Sequence, residues 1–314
     1  MRILITGADG FVGRALGQHL VDRGFEVTGT VRQLPAEGSC LFPLVETGPI
    51  ETFSGWDAIF AGKDAIVHLA ARVHQAEDGT FDPYEKINVG ATGDLTRAAV
   101  RQGVARIVFL SSVKVLGEES LHPFTESDRP NPADAYGASK LEAERKLGEI
   151  AAGSELEIVI LRPPIIYGPS VKANFLKLIH LVEKEIPLPF AKISNQRSML
   201  FLGNLVSAIE ICLMHPAAAG QTFFVADAET VSTPALIKGI ASELNVRARL
   251  WGVPVALLQF LARLIGRAEE MKRLTSSLVV STNRIQRSLG WIPPFSLCEG
   301  LRQTLLWYRY KKDT

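Results

Sequence analysis

The sequence predicts an α/β fold, a doubly wound parallel sheet with a smaller C-terminal α/β lobe. Three observations carry this expectation. Short apolar runs alternate with stretches of helical periodicity through the first half of the chain. A glycine-rich turn stands between the first run and the first helical stretch. After Arg162 the texture changes, with prolines and longer helical stretches taking over.

Arg2–Thr6, Glu26–Val31, Ala65–Leu69, Arg106–Ser111 and Ile158–Arg162 read as strands. They are near-continuous in Val, Ile and Leu, as suits strands covered on both faces. Between them Phe11–Arg23, Asn88–Gln102 and Gly137–Ala151 place apolar residues at helical spacing. Such alternation implies a parallel sheet with right-handed crossovers. Beyond Arg162, Val171–Glu185, Leu205–Met214, Pro234–Leu244 and Val255–Leu264 read as helices, and Phe223–Ala226 as a strand. The expected organisation is a first domain over 1–165, rejoined by a returning segment near 200–225. An interleaved lobe covers 166–314.

A chain of 314 residues, 47% hydrophobic and 21% charged, is long enough for a core that needs no staples. The net charge of +1 gives no chain-wide footprint for nucleic acid or an anionic membrane. Cys40, Cys212 and Cys298 lie in no metal-binding spacing, so free thiols in a reducing compartment and no metal are expected. The N-terminus lacks the apolar stretch of a signal peptide, and a cytoplasmic protein is expected. The longest apolar stretch, Val253 to Ile265, is interrupted by Gln259 and Arg263 and is too short to span a bilayer. It reads as a core-facing or interface helix, with a membrane-surface contact as the alternative.

Gly7-Ala8-Asp9-Gly10-Phe11-Val12-Gly13 follows the first strand and opens a helix. Gly7 permits the turn, Gly10 lets backbone N–H groups approach a pyrophosphate, and Gly13 allows close helix–strand packing. This context points to a Rossmann-type dinucleotide site. No acid ends the second strand; Arg32 stands there, and Arg14 follows the third glycine. Guanidinium groups suit a 2′-phosphate, which favours NADP over NAD. Leu69, Ala70 and Ala71 end a further strand in small residues that let a flat cofactor lie close. His68 in that strand reads as a satisfied histidine rather than a catalytic one.

Tyr136 and Lys140 share a helix face at i, i+4. An ammonium beside a phenol is expected to lower the phenol's pKa and make Tyr136 a usable general acid/base. Lys140 can also hold the nicotinamide ribose. Ser112, at the carboxyl edge of the sheet, can polarise a carbonyl or alcohol oxygen.

With these residues the sequence resembles the extended short-chain dehydrogenase/reductase enzymes, in the NAD(P)-dependent nucleotide-sugar epimerase/dehydratase group. The resemblance runs through Thr6–Gly13, Asp64–Ala71, Asn88, Phe109–Ser112, Tyr136–Lys140 and Leu161–Pro169. It implies dinucleotide contacts that include Asn88, Ser111 and Pro163, and a C-terminal lobe that holds a UDP-sugar. By position Asn174 and Arg197 look like diphosphate contacts, with Arg273 a looser candidate. Dehydratases follow the catalytic Ser/Thr with Asp-Glu; here Val113-Lys114 follows Ser112, which disfavours dehydration. Val115-Leu116-Gly117 likewise replaces the Val-Tyr-Gly of many 4-epimerases. Within the group the chain is similar to UDP-hexose 4-epimerases and to 4-reductases of UDP-4-keto-6-deoxy-N-acetylhexosamines in surface-polysaccharide synthesis. The leading expectation is an NADPH-dependent 4-keto reductase, with a 4-epimerase holding NAD as the alternative. Two further alternatives are a non-enzymatic NADP-binding sensor and a hydroxysteroid-type dehydrogenase. The resemblance also implies a homodimer formed through the helices Asn88–Gln102 and Gly137–Ala151.

Overall fold

The computed structural model describes residues 1–35, 40–73 and 82–313. Its strands are β1 (Arg2–Thr6), β2 (Glu26–Val31), β3 (Leu44–Glu46), β4 (Ala65–His68), β5 (Arg106–Leu110), β6 (Glu157–Arg162), β7 (Ile165–Tyr167), β8 (Met199–Phe201) and β9 (Thr222–Phe224). Seven form one sheet in the order β3-β2-β1-β4-β5-β6-β9, and every neighbouring pair is parallel. The strand order reverses between β1 and β4, and such a switch opens a crevice at the carboxyl ends. β7 and β8 form a separate parallel pair.

Each sheet face buries a distinct apolar set. On one, Leu16 and Leu20 of the helix Phe11–Asp22 pack with Leu205 and Ile209 of the helix Leu202–Met214 against Ile5, Val67 and Val159. On the other, Leu95 and Ala99 of the helix Ala91–Arg101 and Leu147 of the helix Ala135–Ala151 cover Leu4, Ile66 and Ile107. A third cluster fills the C-terminal lobe around Tyr167, Phe175, Phe201, Ile240 and Leu305. Apolar burial on both faces explains the continuous Val/Ile/Leu strands.

The major strands and helices lie where the sequence placed them, with shifted ends. The expected helix Asn88–Gln102 begins inside a π-helical turn, Glu85–Gly90, before Ala91–Arg101. The helix Ala135–Ala151 begins two residues earlier than expected, because Asp134 caps it by accepting from Gly137 N at 2.7 Å. Not foreseen were β3, β7 and β8, and the helices Trp56–Phe60, Ala268–Thr275, Asn283–Leu289 and Leu297–Asp313.

Arg106 on β5 fastens the returning helix Leu202–Met214 to the sheet. It is buried, and its Nη1 donates to the carbonyls of Cys212 (2.8 Å), Leu213 (3.0 Å) and His215 (3.0 Å). These are carbonyls that a helix end otherwise leaves without partners. Its Nε donates to Glu157 at 2.7 Å. Arg106→Met is expected to cost about 2–4 kcal/mol of stability. A urea denaturation midpoint close to wild type would contradict this.

Candidate active site

The carboxyl ends of the central strands open on a cleft of about 620 Å³. Its floor begins at the glycine turn. Gly7 has φ +67°, and a Cβ on it would lie 3.1 Å from the Ala70 backbone. A Cβ on Gly13 would lie 2.3 Å from Gly7 O and 2.7 Å from Ala8 Cα. The helix therefore approaches the strand as only glycine permits. Gly10 precedes this helix with no side-chain cap, and its first turn carries no acid. That positive helix end, with Phe11 and Val12, lines the cleft, so the backbone here fits an anionic pyrophosphate.

A buried network fixes the opposite wall. Thr6 Oγ1 accepts from Leu69 N and Ala70 N, both at 3.1 Å, and lies 2.7 Å from His68 Nδ1. The hydroxyl thus gives its own proton to Nδ1. His68 Nε2 then donates to Thr92 Oγ1 at 2.9 Å, and Thr92 donates to Asn88 O at 2.6 Å. Burial pushes the His68 pKa down to about 3, so the ring is neutral and satisfied, as the sequence suggested. Leu69, Ala70 and Ala71 line the cleft above it.

Asn88 corrects one expectation. Its side chain does not line the cleft. It clamps the loop after β4, accepting from Arg72 N at 2.8 Å and donating to Arg72 O at 3.1 Å. Its amide also donates to Ser139 Oγ at 2.9 Å, one residue before Lys140. Arg14 is a second correction. Its Nε donates to Asp9 O at 2.9 Å, and it lines a neighbouring groove instead of this cleft. Arg32 does line the cleft.

Ser111, Ser112, Tyr136, Lys140 and Pro163 meet at the other end of the same cleft. Ser111 Oγ donates to the Glu144 carboxylate in a very short hydrogen bond. Arg162 closes on Glu144 from below, Nε at 3.0 Å and Nη2 at 2.5 Å. All three are buried, so β5, β6 and the helix of Tyr136 are locked together. Ser112 caps the 3₁₀ turn Val113–Val115, accepting from Lys114 N at 3.2 Å.

Lys140 is 2% exposed. Its Nζ donates to Leu110 O at 2.7 Å and sits 4.4 Å from the Phe109 ring centroid. Burial pushes its pKa down to about 7, against a pull upward from Glu144. The Tyr136 ring stands edge-on to Tyr84 at 6.4 Å between centroids. Burial, followed by the charges of Asp134 and Tyr84, pushes the Tyr136 phenol up. The expected lowering by Lys140 is thus not what the structure shows. The ammonium faces the Leu110 carbonyl, and desolvation dominates both groups.

A chain of ion pairs links this helix to the C-terminal lobe. Lys114 Nζ bridges Asp134, the helix cap, and Glu118 Oε1 at 2.6 Å. Arg273 grips Glu118 through Nε (3.1 Å) and Nη2 (3.2 Å). Burial would raise Glu118, but hydrogen bonds from Lys114 and Arg273 hold it below the usual carboxylate range. Arg197 Nη1 donates to the carbonyls of Arg273 (2.9 Å) and Ser276 (3.1 Å). Arg197 and Arg273 are thereby brought together. Asn174 stands exposed on the first turn of the helix Ala173–Glu183 and lines neither cleft nor groove. Sequence reasoning missed Thr47–Glu51, which line the cleft beside Arg32 after the three-residue β3.

These features define a dinucleotide-binding α/β oxidoreductase. The sequence profile described as "NAD dependent epimerase/dehydratase family" matches residues 3–226, and the chain belongs to that family. It is an enzyme of the extended short-chain dehydrogenase/reductase type. The UDP-glucose 4-epimerase of Vibrio cholerae is 39% identical over 309 residues, 96% of this chain and 94% of that protein. The N-acetyl-alpha-D-glucosaminyl-diphospho-ditrans,octacis-undecaprenol 4-epimerase of Escherichia coli O157:H7 is 26% identical over 318 residues, 96% of this chain and 94% of its own. Among solved structures, MoeE5 in complex with UDP-glucose and NAD shares the fold at a TM-score of 0.82 and 24% identity. It covers 99% of this chain and 100% of its own.

The depressed Lys140 pKa predicts a pH effect. Between about 7 and the ordinary 10.5, the unfolded chain binds a proton that the folded chain does not. Stability of the ligand-free protein therefore gains from this group as pH rises through that window. Lys140→Met should flatten this contribution, read from denaturation midpoints at the two ends of the window. An unchanged slope in the variant would contradict the buried ammonium.

Proposed function

We propose that the protein moves hydride at C4 of a UDP-linked sugar, with Ser112, Tyr136 and Lys140 as the reacting set. The convergence of these three side chains with the glycine turn on one cleft is the observation that carries the reading. Gly10–Gly13 would hold the pyrophosphate of a nicotinamide dinucleotide and Lys140 its ribose, and the cofactor bound there would supply hydride transfer. Ser112 orients the C4 oxygen. Burial keeps the Tyr136 phenol protonated in the ligand-free protein, so it would first have to lose that proton to solvent; as phenolate it would take the C4 hydroxyl proton as C4 gives up hydride, and return it when hydride comes back. Arg197 is the candidate for the sugar diphosphate, because it is paired only with carbonyls among the described residues and burial lowers its pKa; Arg273 is already held by Glu118, and neither arginine lines the cleft itself. Val113-Lys114 leaves no carboxylate beside Ser112 for a dehydration.

Two outcomes of this chemistry share the site. In 4-epimerisation the hydride returns to the opposite face of the 4-keto sugar and no net oxidation occurs. The likeness to the Vibrio cholerae UDP-glucose 4-epimerase over nearly the whole chain supports this reading first. Glu51 in the cleft is also unfavourable to a 2′-phosphate. In 4-keto reduction NADPH is consumed in each cycle; Arg32 in the same cleft supports that second reading.

Incubation with UDP-glucose and with UDP-N-acetylglucosamine should yield the C4 epimers without accumulation of NADH. Stoichiometric NADPH oxidation with a UDP-4-keto-6-deoxy sugar, and no epimer, would give the second reading instead. Tyr136→Phe is expected to lower turnover on the order of 10²–10⁴-fold and leave dinucleotide binding intact. A variant with undiminished turnover would remove the phenol from the mechanism.

A further inference from the structure

The helix Val255–Leu264 turns a large part of its apolar surface outward. Leu258 and Ala262 face in, whereas Leu257, Phe260, Leu261 and Leu264 are exposed, followed by Ile265 at 70%. Their spacing is i, i+3, i+4, i+7, so they form one stripe along the helix. Trp251, three residues before the helix-capping Pro254, is also exposed. Other exposed large apolar residues, such as Leu121 and Ile292, stand singly, apart from the pair Leu306 and Tyr310 on the helix Leu297–Asp313.

Two arginines stand at the C-terminal end of the stripe. Arg263 and Arg267 are exposed, and neither pairs with a carboxylate among the described residues. The nearby acids Glu269 and Glu270 open the next helix, where negative charge complements the helix dipole. That helix, Ala268–Thr275, carries Arg273 and is tied back by Gln259 Nε2 donating to Thr275 Oγ1 at 3.2 Å.

We propose that Val255–Arg267 is a docking face for an anionic phospholipid bilayer. The helix lies in the headgroup layer with its leucines and Phe260 directed to the acyl boundary, while Arg263 and Arg267 meet lipid phosphates. No described helix is long and apolar enough to cross a membrane, so contact is at the surface. The chain's overall charge of +1 attracts no membrane by itself; the local pair of unpaired arginines does.

A second copy of the chain fits this face less well. The exposed portions of these six residues amount to roughly 700 Å², taking ~200 Å² for a fully exposed large side chain. A standard interface needs about 800 Å² per partner. Docking here also brings the lobe that carries Arg197 and Arg273 to the bilayer surface, one helix away from the lipid.

Sedimentation of the full chain with phosphatidylglycerol/phosphatidylethanolamine vesicles, against phosphatidylcholine vesicles, tests this directly. The protein should partition to the anionic vesicles, less so at high salt, and the Trp251 emission should shift to the blue. Phe260→Asp/Leu264→Asp and, separately, Arg263→Glu/Arg267→Glu should each lower partitioning by on the order of tenfold. Both changes are on exposed positions, so dinucleotide binding should stay as in wild type. Absence of vesicle binding by the wild-type protein overturns the proposal, as does binding that both double variants retain. A light-scattering mass that falls from dimer to monomer in Phe260→Asp/Leu264→Asp, without vesicle binding, would assign the face to a second copy and also overturn it.

Discussion

The whole site depends on how closely the first helix approaches the first strand. Gly13 stands against Gly7 O and Ala8 Cα with no room for a methyl group, and Gly7 turns the chain at a φ that other residues rarely adopt. Because the helix begins there, its positive end lies at the carboxyl edge of β1. Because Gly7 also abuts Ala70, the loop after β4 lies against the same edge. Thr6 and Asn88 then hold that loop through its own N–H and carbonyl groups. A side chain at either glycine would push the two walls apart.

Buried charge sets the far end of the cleft. Glu144 is surrounded by Ser111 and Arg162, and Lys140, one turn earlier on the same helix, donates to the Leu110 carbonyl at the end of β5. Desolvation of this kind is costly unless donors and acceptors are matched, and here each has a partner. The same matching continues outward through Lys114, Asp134, Glu118 and Arg273. The cap of the Tyr136 helix is therefore electrostatically joined to the lobe that holds Arg197.

Much of this was legible in the sequence. The long strands announce themselves because both sheet faces are apolar, and the glycine turn because its spacing is fixed by steric contact. Ser112, Tyr136 and Lys140 could be placed on one cleft from strand–helix order alone. The three-residue strands β3, β7 and β8 carry too few residues for a period, so Thr47–Glu51 went unseen. Leu301, Leu305 and Tyr308 do repeat helically within Leu297–Asp313, a signal present but not used. Asn88 and Arg14 hold neighbouring backbone rather than line the cleft, because a motif position does not tell which way a side chain points. The Tyr136 pKa went astray because i, i+4 spacing fixes a shared face, not which neighbour the ammonium meets. Asn174 is expected at the substrate only from the resemblance; it is exposed and without a partner among the described residues.

Bare backbone at the glycine turn is expected to receive a dinucleotide pyrophosphate. Calorimetric titration of NAD into the wild-type protein and Gly13→Ala, with circular dichroism confirming the fold of both, measures it most directly. Wild type should bind, and the variant should bind on the order of a hundredfold more weakly or not at all. Equal affinity of the two folded proteins would contradict the account.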